Sequence, residues 1–122
     1  MRTILLPIRP LYVNEIINGN KKYEYRKKVV DIDKIVIYST NPVKRVIGEV
    51  EVLEIISNSP NNLWEETKNY SGVTKELFMK YFEGKEKAYA YKLGKLIIYD
   101  KPKLLKEIGI NYYPQSFVYL EK

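Results

Sequence analysis

The chain contains neither cysteine nor histidine. Without thiols, disulfides, thiolate nucleophiles and cysteine metal sites are all excluded. Without imidazoles, the commonest general base and the commonest transition-metal ligand go as well. Long apolar runs are also missing: nothing approaches the roughly 20 residues that a membrane-spanning helix needs, so no membrane partner is expected. The opening Met1-Arg2-Thr3-Ile4-Leu5-Leu6-Pro7-Ile8 has one positive side chain and an apolar stretch broken at Pro7. That is the pattern of a first strand and not of a signal peptide, and a cytoplasmic protein is the expectation. Three phenylalanines and one tryptophan stand beside twelve tyrosines. This predicts a core with many half-wet edges, because a buried phenol still needs a partner for its hydroxyl. No internal repeat, low-complexity tract or linker interrupts the chain.

What is present is 122 residues with 45% hydrophobic content, enough for one domain over residues 1–122 with a real core and too little for two. The formal charge of +6 permits an anionic partner such as nucleic acid or a nucleotide, although a lysine-rich solvated surface carries the same excess.

Hydrophobic spacing lays out the elements. Ile4, Leu6 and Ile8 alternate as in a buried strand. Pro10 suits the first turn of a helix, along which Tyr12, Val13, Ile16 and Ile17 recur, with Asn18 or Gly19 as the cap. Residues 35–38 form a short apolar strand, and Asn41-Pro42 marks a turn. Val46 to Ile56 is a long strand with a bulge expected near Gly48. Ser59-Pro60 opens a helical segment carrying Leu63 and Trp64. Thr74 caps a second one, with Val73 stapled to Phe78 and Leu77, Phe78, Tyr81 and Phe82 as a core stripe. Ala88 to Leu93 and Leu96 to Tyr99 make another alternating strand. Pro102 precedes a helical turn with Leu104 and Leu105, and Tyr113 to Leu120 ends the chain as a strand. Strands without regular strand–helix alternation predict an α+β fold around a curled sheet of five to six strands.

The densest chemistry lies in Gly19-Asn20-Lys21-Lys22-Tyr23-Glu24-Tyr25-Arg26. In extended backbone Lys22, Glu24 and Arg26 share one face and Tyr23 and Tyr25 the other. Ile8-Arg9-Pro10, a helix ending at Gly19, Lys21 and then Tyr23-Glu24-Tyr25-Arg26 together resemble the ASCH domain of the PUA-like superfamily. Ile47-Gly48-Glu49-Val50-Glu51-Val52, the Tyr81-Phe82-Glu83-Gly84 helix end and the tail Pro114-Gln115-Ser116-Phe117 extend the resemblance over essentially the whole chain. It implies a small curled β-barrel with helices at its side and open end, a cleft beside the first helix, and RNA binding with a regulatory role. One branch of that family hydrolyses acetylated cytidine with a lysine, a threonine three residues on and a separate glutamate. Lys21 matches the lysine, but Glu24 occupies the threonine position, so that hydroxyl is absent.

The expected function is an RNA- or modified-nucleoside-binding module, with no metal or organic cofactor implied. Arg26, Lys21 and Arg9 are candidate contacts to a phosphate or base edge, since a guanidinium makes two parallel hydrogen bonds. Glu24 is the candidate acceptor from an exocyclic amine, or simply the ion-pair partner of Arg26. Tyr38, Ser39 and Thr40 at a strand end could offer hydroxyls to a ligand, Gln115 and Ser116 could read a base edge, and Tyr89 and Tyr91 could stack an unpaired base or fill the core. Lys27, Lys28 and Lys34 form a basic turn able to track a phosphate backbone. The alternatives are an amidohydrolase acting on acetylated cytidine, with Lys21 and Glu24 as a rebuilt catalytic pair near Glu49 or Glu51, and a protein–protein interaction module.

Overall fold

The protein is described by a computed structural model over residues 1–120. Strands β1 (Thr3–Ile8), β2 (Tyr23–Arg26), β3 (Lys34–Ser39), β4 (Arg45–Asn58), β5 (Ala88–Lys103) and β6 (Val118–Leu120) alternate irregularly with helices α1 (Pro10–Ile17), α2 (Pro60–Thr67) and α3 (Lys75–Tyr81). β1 is buried along almost its whole length. It pairs in parallel with β3 and antiparallel with β6, which is why its sequence reads as a nearly continuous apolar run. A parallel pair cannot be joined by a tight turn, and α1 with β2 supplies the crossover from β1 to β3.

The architecture is α+β, and the six strands run in the order β2-β5-β4-β3-β1-β6. The end strands β2 and β6 share no ladder, so backbone hydrogen bonding does not close the sheet into the expected barrel. The sheet is nonetheless strongly curled. Arg26, on the first strand of that order, donates from Nη2 to the carbonyl of Pro7 on the fifth at 2.9 Å. Among the described residues no helix is long and apolar enough to cross a membrane.

The bulge expected near Gly48 is present: both ladders of β4 shift register there. A Cβ at Gly48 would lie 2.4 Å from the Ile97 carbonyl oxygen, so the backbones approach too closely for any side chain. Two strand boundaries differ from the spacing. β5 runs through Pro102, which is tolerated because β2 covers only residues 89–92 of β5 and leaves the rest as an edge on that side. The terminal strand is confined to Val118–Leu120, and residues 113–117 cross the sheet's end as irregular chain, where Pro114 cannot donate to a ladder.

Inside the curl, Ile4, Leu6 and Ile8 pack with Val13 and Ile16 of α1, Ile35, Ile37 and Tyr91. Outside β5, the small Ala88 and Ala90 leave room for Leu63, Trp64, Phe78 and Phe82 of the α2–α3 unit. Ser59 and Thr74 cap those two helices through their side chains, and Val73 packs into the same cluster as Phe78. Leu5, Val36, Tyr38 and Val46 form a third cluster with Leu105 and Ile110.

Candidate functional site

β2 stands where α1, α3 and the end of β1 converge, and it projects Glu24 and Arg26 into a cleft of about 1220 Å³. Glu24 is 5% exposed. Its Oε2 accepts from both Nε and Nη2 of Arg26, at 3.1 and 2.8 Å. Its Oε1 is buried and has no hydrogen-bond partner among the described residues. Leaving a buried acceptor unmet costs about 1–3 kcal/mol, more for a charged one. The cleft thus carries an unpaid desolvation at one atom.

Lys21 enters the same cleft and is 3% exposed. Its Nζ donates to the Ser71 carbonyl at 2.8 Å and lies 4.7 Å from the Tyr25 ring centroid and 5.5 Å from that of Tyr12. Burial lowers its pKa, Glu24 pulls it back up, and Arg26 lowers it further. The backbone and stem of this segment are held too. Lys22 N–H donates to the Tyr70 carbonyl, and Gly72 at φ +69° presses against the lysine stem, where an added Cβ would sit 2.4 Å from Lys21 Cβ. Tyr25 is fixed by donating to Thr67 Oγ1 at 2.6 Å, since that hydroxyl in turn donates to the Leu63 carbonyl. Its ring meets Phe78 edge-on at 4.8 Å, and burial pushes its phenol up to about 12.

Of the candidates from sequence, the cleft brings together Arg9, Lys21, Glu24, Arg26, Thr40 and Gln115. It does not include Ser39, which is buried at the end of β3, nor Ser116, which is exposed outside it. Tyr91 is no stacking platform: it is 1% exposed inside the curl, with its hydroxyl accepting from Val30 N–H at 3.0 Å. Tyr89, paired with Arg26 across the β2–β5 ladder, is not among the residues that line the cleft. Lys22 lies outside the strand and covers the Tyr70 ring at 4.5 Å instead of joining Glu24 and Arg26. Glu49 and Glu51 do not reach Lys21. Glu49 accepts from Lys34 and Tyr99, and those bonds lower its pKa although burial pushes the other way. Lys34 is thereby committed to an ion pair rather than to a basic track, while Lys27 stands over the Tyr81 ring at 4.8 Å.

Tyr38, expected to offer its hydroxyl to a ligand, lines the cleft. Tyr12, Lys44, Lys80, Tyr81 and Tyr113 line it as well, although no local pattern singled them out as cleft residues. These five come from four separate segments. Only Tyr81 had a legible trace: its helical spacing fits the core stripe, yet it lies at the margin of that stripe and is exposed. Tyr113 is 64% exposed beside Lys44, whose Nζ lies 5.4 Å from its ring. Arg9, Lys44 and Lys80 are exposed around the mouth, and none of them pairs with a carboxylate among the described residues.

The ASCH domain model matches residues 6–101. The chain is 32% identical over 127 residues to an ASCH domain-containing ribonuclease of Zymomonas mobilis, covering 97% of this chain and 84% of that protein. It also resembles the crystal structure of ASCH from Zymomonas mobilis, with a TM-score of 0.90 and 31% identity over 98% of this chain and 88% of the other. A further match, 28% identical over 98% of the chain, is the ATP synthase subunit alpha of Ureaplasma parvum serovar 3, of whose length the chain spans 15%.

Proposed function

The chain belongs to the ASCH domain family, and from that membership we propose that it is an RNA-binding module whose cleft, between a barrel-like curled wall and α1, holds a single-stranded segment or a modified nucleoside. The observation that carries this reading is the buried Glu24 Oε1, which has no partner among the described residues, in a cleft whose rim carries Arg9, Lys44 and Lys80. Arg9, with Lys44 and Lys80, supplies phosphate contacts, Lys21 and Arg26 supply inner donors, and Glu24 is the orienting acceptor. Thr40 and Gln115 add polar contacts at the edge. A volume of about 1220 Å³ exceeds the roughly 300–1,000 Å³ of a small-molecule pocket, which favours a strand over a free nucleoside. The relative named a ribonuclease is in keeping with an RNA partner.

A fluorescence-anisotropy titration with single-stranded RNA tests it. Affinity is expected to fall as salt rises, because each phosphate neutralised releases counterions. No binding even at low salt refutes the proposal.

One observation favours a second reading, hydrolysis. A buried lysine with a lowered pKa can serve as a base for water, with Glu24 beside it. In acetylated cytidine, water would give a proton to Lys21 and add to the acetyl carbonyl carbon, the bond from that carbon to N4 would break as N4 takes the proton back, and acetate and cytidine would leave. Acetate release that Lys21→Met abolishes in a folded sample is the expected signature, and no turnover discards this reading.

A further inference from the structure

We infer that the cleft is only the first part of a longer site: a strand leaving it past Lys44 and Tyr113 continues over a separate basic surface built on Arg45, Lys103 and Lys106. This rests on the RNA-binding reading above and goes further, to a second surface and to the length of strand that the protein holds.

The surface comes from three segments that meet only in the fold. Residues 40–46, 101–106 and 108–117 carry Lys44, Arg45, Lys101, Lys103 and Lys106 and contain no aspartate or glutamate. They are gathered around one apolar cluster, in which Val46 packs with Leu105 and Ile110. Val46 is also the ladder partner of Lys103, so Arg45 sits one residue from that pairing. All five cations are exposed, and none forms an ion pair among the described residues.

Three carboxylates border the surface, and two of them are already engaged. Glu107 accepts from Leu104 N–H at 2.7 Å. Glu49 accepts from Lys34 and Tyr99 and lies within the field of Lys103. Asp100 is exposed next to Lys101. The balance is an excess of positive charge turned to solvent, which attracts a polyanion and gains by releasing that polyanion's counterions.

This surface is continuous with the cleft. Lys44, at φ +52°, leads directly into Arg45 at the start of β4, and it is itself a cleft residue. Tyr113 meets Lys44 there, and with its neighbour Tyr112 it offers exposed ring faces on which unpaired bases can stack. On the opposite side of the mouth, Lys80 shares its stretch of chain with the exposed carboxylates Glu76 and Glu83. Charge there is mixed, so the strand is expected to leave on the Lys44 side.

The test uses the full chain and two fluorescein-labelled oligouridylates, of four and twelve nucleotides. The dodecamer is expected to bind more tightly and with a steeper salt dependence, because it neutralises cations that the tetramer does not reach. Arg45→Ala/Lys103→Ala should lower the dodecamer's salt slope by about 1.4, two phosphates at roughly 0.7 each, and weaken its binding on the order of tenfold at 0.1 M salt. Tetramer affinity should not change, which also shows that the cleft is still folded. Lys85→Ala/Lys87→Ala removes the same charge from exposed positions just before the other end of β5 and should leave both oligonucleotides unaffected. The second surface is overturned, and the RNA-binding reading left standing, if Arg45→Ala/Lys103→Ala spares the dodecamer or weakens the tetramer as much. An equal loss of dodecamer binding in the Lys85/Lys87 variant also overturns it, since net charge alone would then be the cause. Binding of neither oligonucleotide overturns both readings.

Discussion

Replacing Gly72 with alanine separates two penalties that usually arrive together. The residue sits at φ +69°, and an alanine Cβ there would come within 2.4, 2.6 and 2.8 Å of Lys21 Cβ, Cγ and Cδ. Those atoms are the stem of a side chain anchored at its far end to the Ser71 carbonyl, so it cannot swing aside cheaply. Left-handed backbone costs a non-glycine residue roughly 1–2 kcal/mol, and overpacking a tight site costs typically another 1–3 kcal/mol. A destabilisation of about 2–5 kcal/mol lowers the melting temperature of a chain this size by about 8–20 °C. Gly19 is the control: its φ is +83°, but an added Cβ meets nothing within 4 Å, so Gly19→Ala should incur only the roughly 1–2 kcal/mol of backbone strain. Thermal melts of both variants, with RNA affinity measured below the transitions, give the comparison. Gly72→Ala should melt well below Gly19→Ala and bind RNA more weakly at temperatures where both are folded, because Lys21 is displaced. If the two melt together, Gly72 does not press on Lys21 in the way described.

Tyr25→Phe keeps the edge-on contact with Phe78 but removes the donor to Thr67 Oγ1; urea denaturation should show a loss of about 1 kcal/mol, and an unchanged midpoint would mean that bond contributes nothing. Arg26→Ala strands the Glu24 charge; because a quarter of the Arg26 side chain remains in water, the expected loss is on the order of 2 kcal/mol rather than the larger cost at a fully sealed pair, and Arg26→Ala/Glu24→Leu should recover part of it. Burial pushes Tyr25 up to about 12, and burial with the adjoining Glu49 carboxylate does the same for Tyr99. Raised native pKa values mean that this stability is intact below about pH 10, where unfolded tyrosine titrates, and is lost as pH climbs toward about 12. Denaturation midpoints across that window should fall, and the fall should shrink in Tyr25→Phe/Tyr99→Phe; an equal decline in both proteins would refute the assignment.

Much of the fold was legible because its cues are local. Alternation marked β1 and β5, Thr74 announced the start of α3, and Gly48 marked a bulge that both neighbouring ladders accommodate. Lys21, Glu24 and Arg26 could be singled out because their spacing is short and their charges conspicuous. Alternation alone could not say which side of β5 faces the interior. That choice belongs to its pairing with β2 and β4 and to the aromatic layer over Ala88 and Ala90, and it is what buries Tyr91. The rim was illegible for a related reason: Tyr12, Lys44, Tyr81 and Tyr113 meet only after α1, the turn before β4, α3 and the C-terminal stretch have folded together. Sheet closure also depends on the far ends of the chain, where β6 reaches β1 but not β2.

The bond from Arg26 to the Pro7 carbonyl acts as a clasp across a seam. Two strands four places apart in the sheet are held by one guanidinium that also grips the Glu24 carboxylate. A guest that engages Glu24 therefore tugs on the same fastening that sets the gap between β1 and β2. Occupancy deep in the molecule should then register at its margin as slower amide exchange along residues 23–26. Cutting the clasp should uncouple the two, leaving exchange there indifferent to whether the hollow is filled.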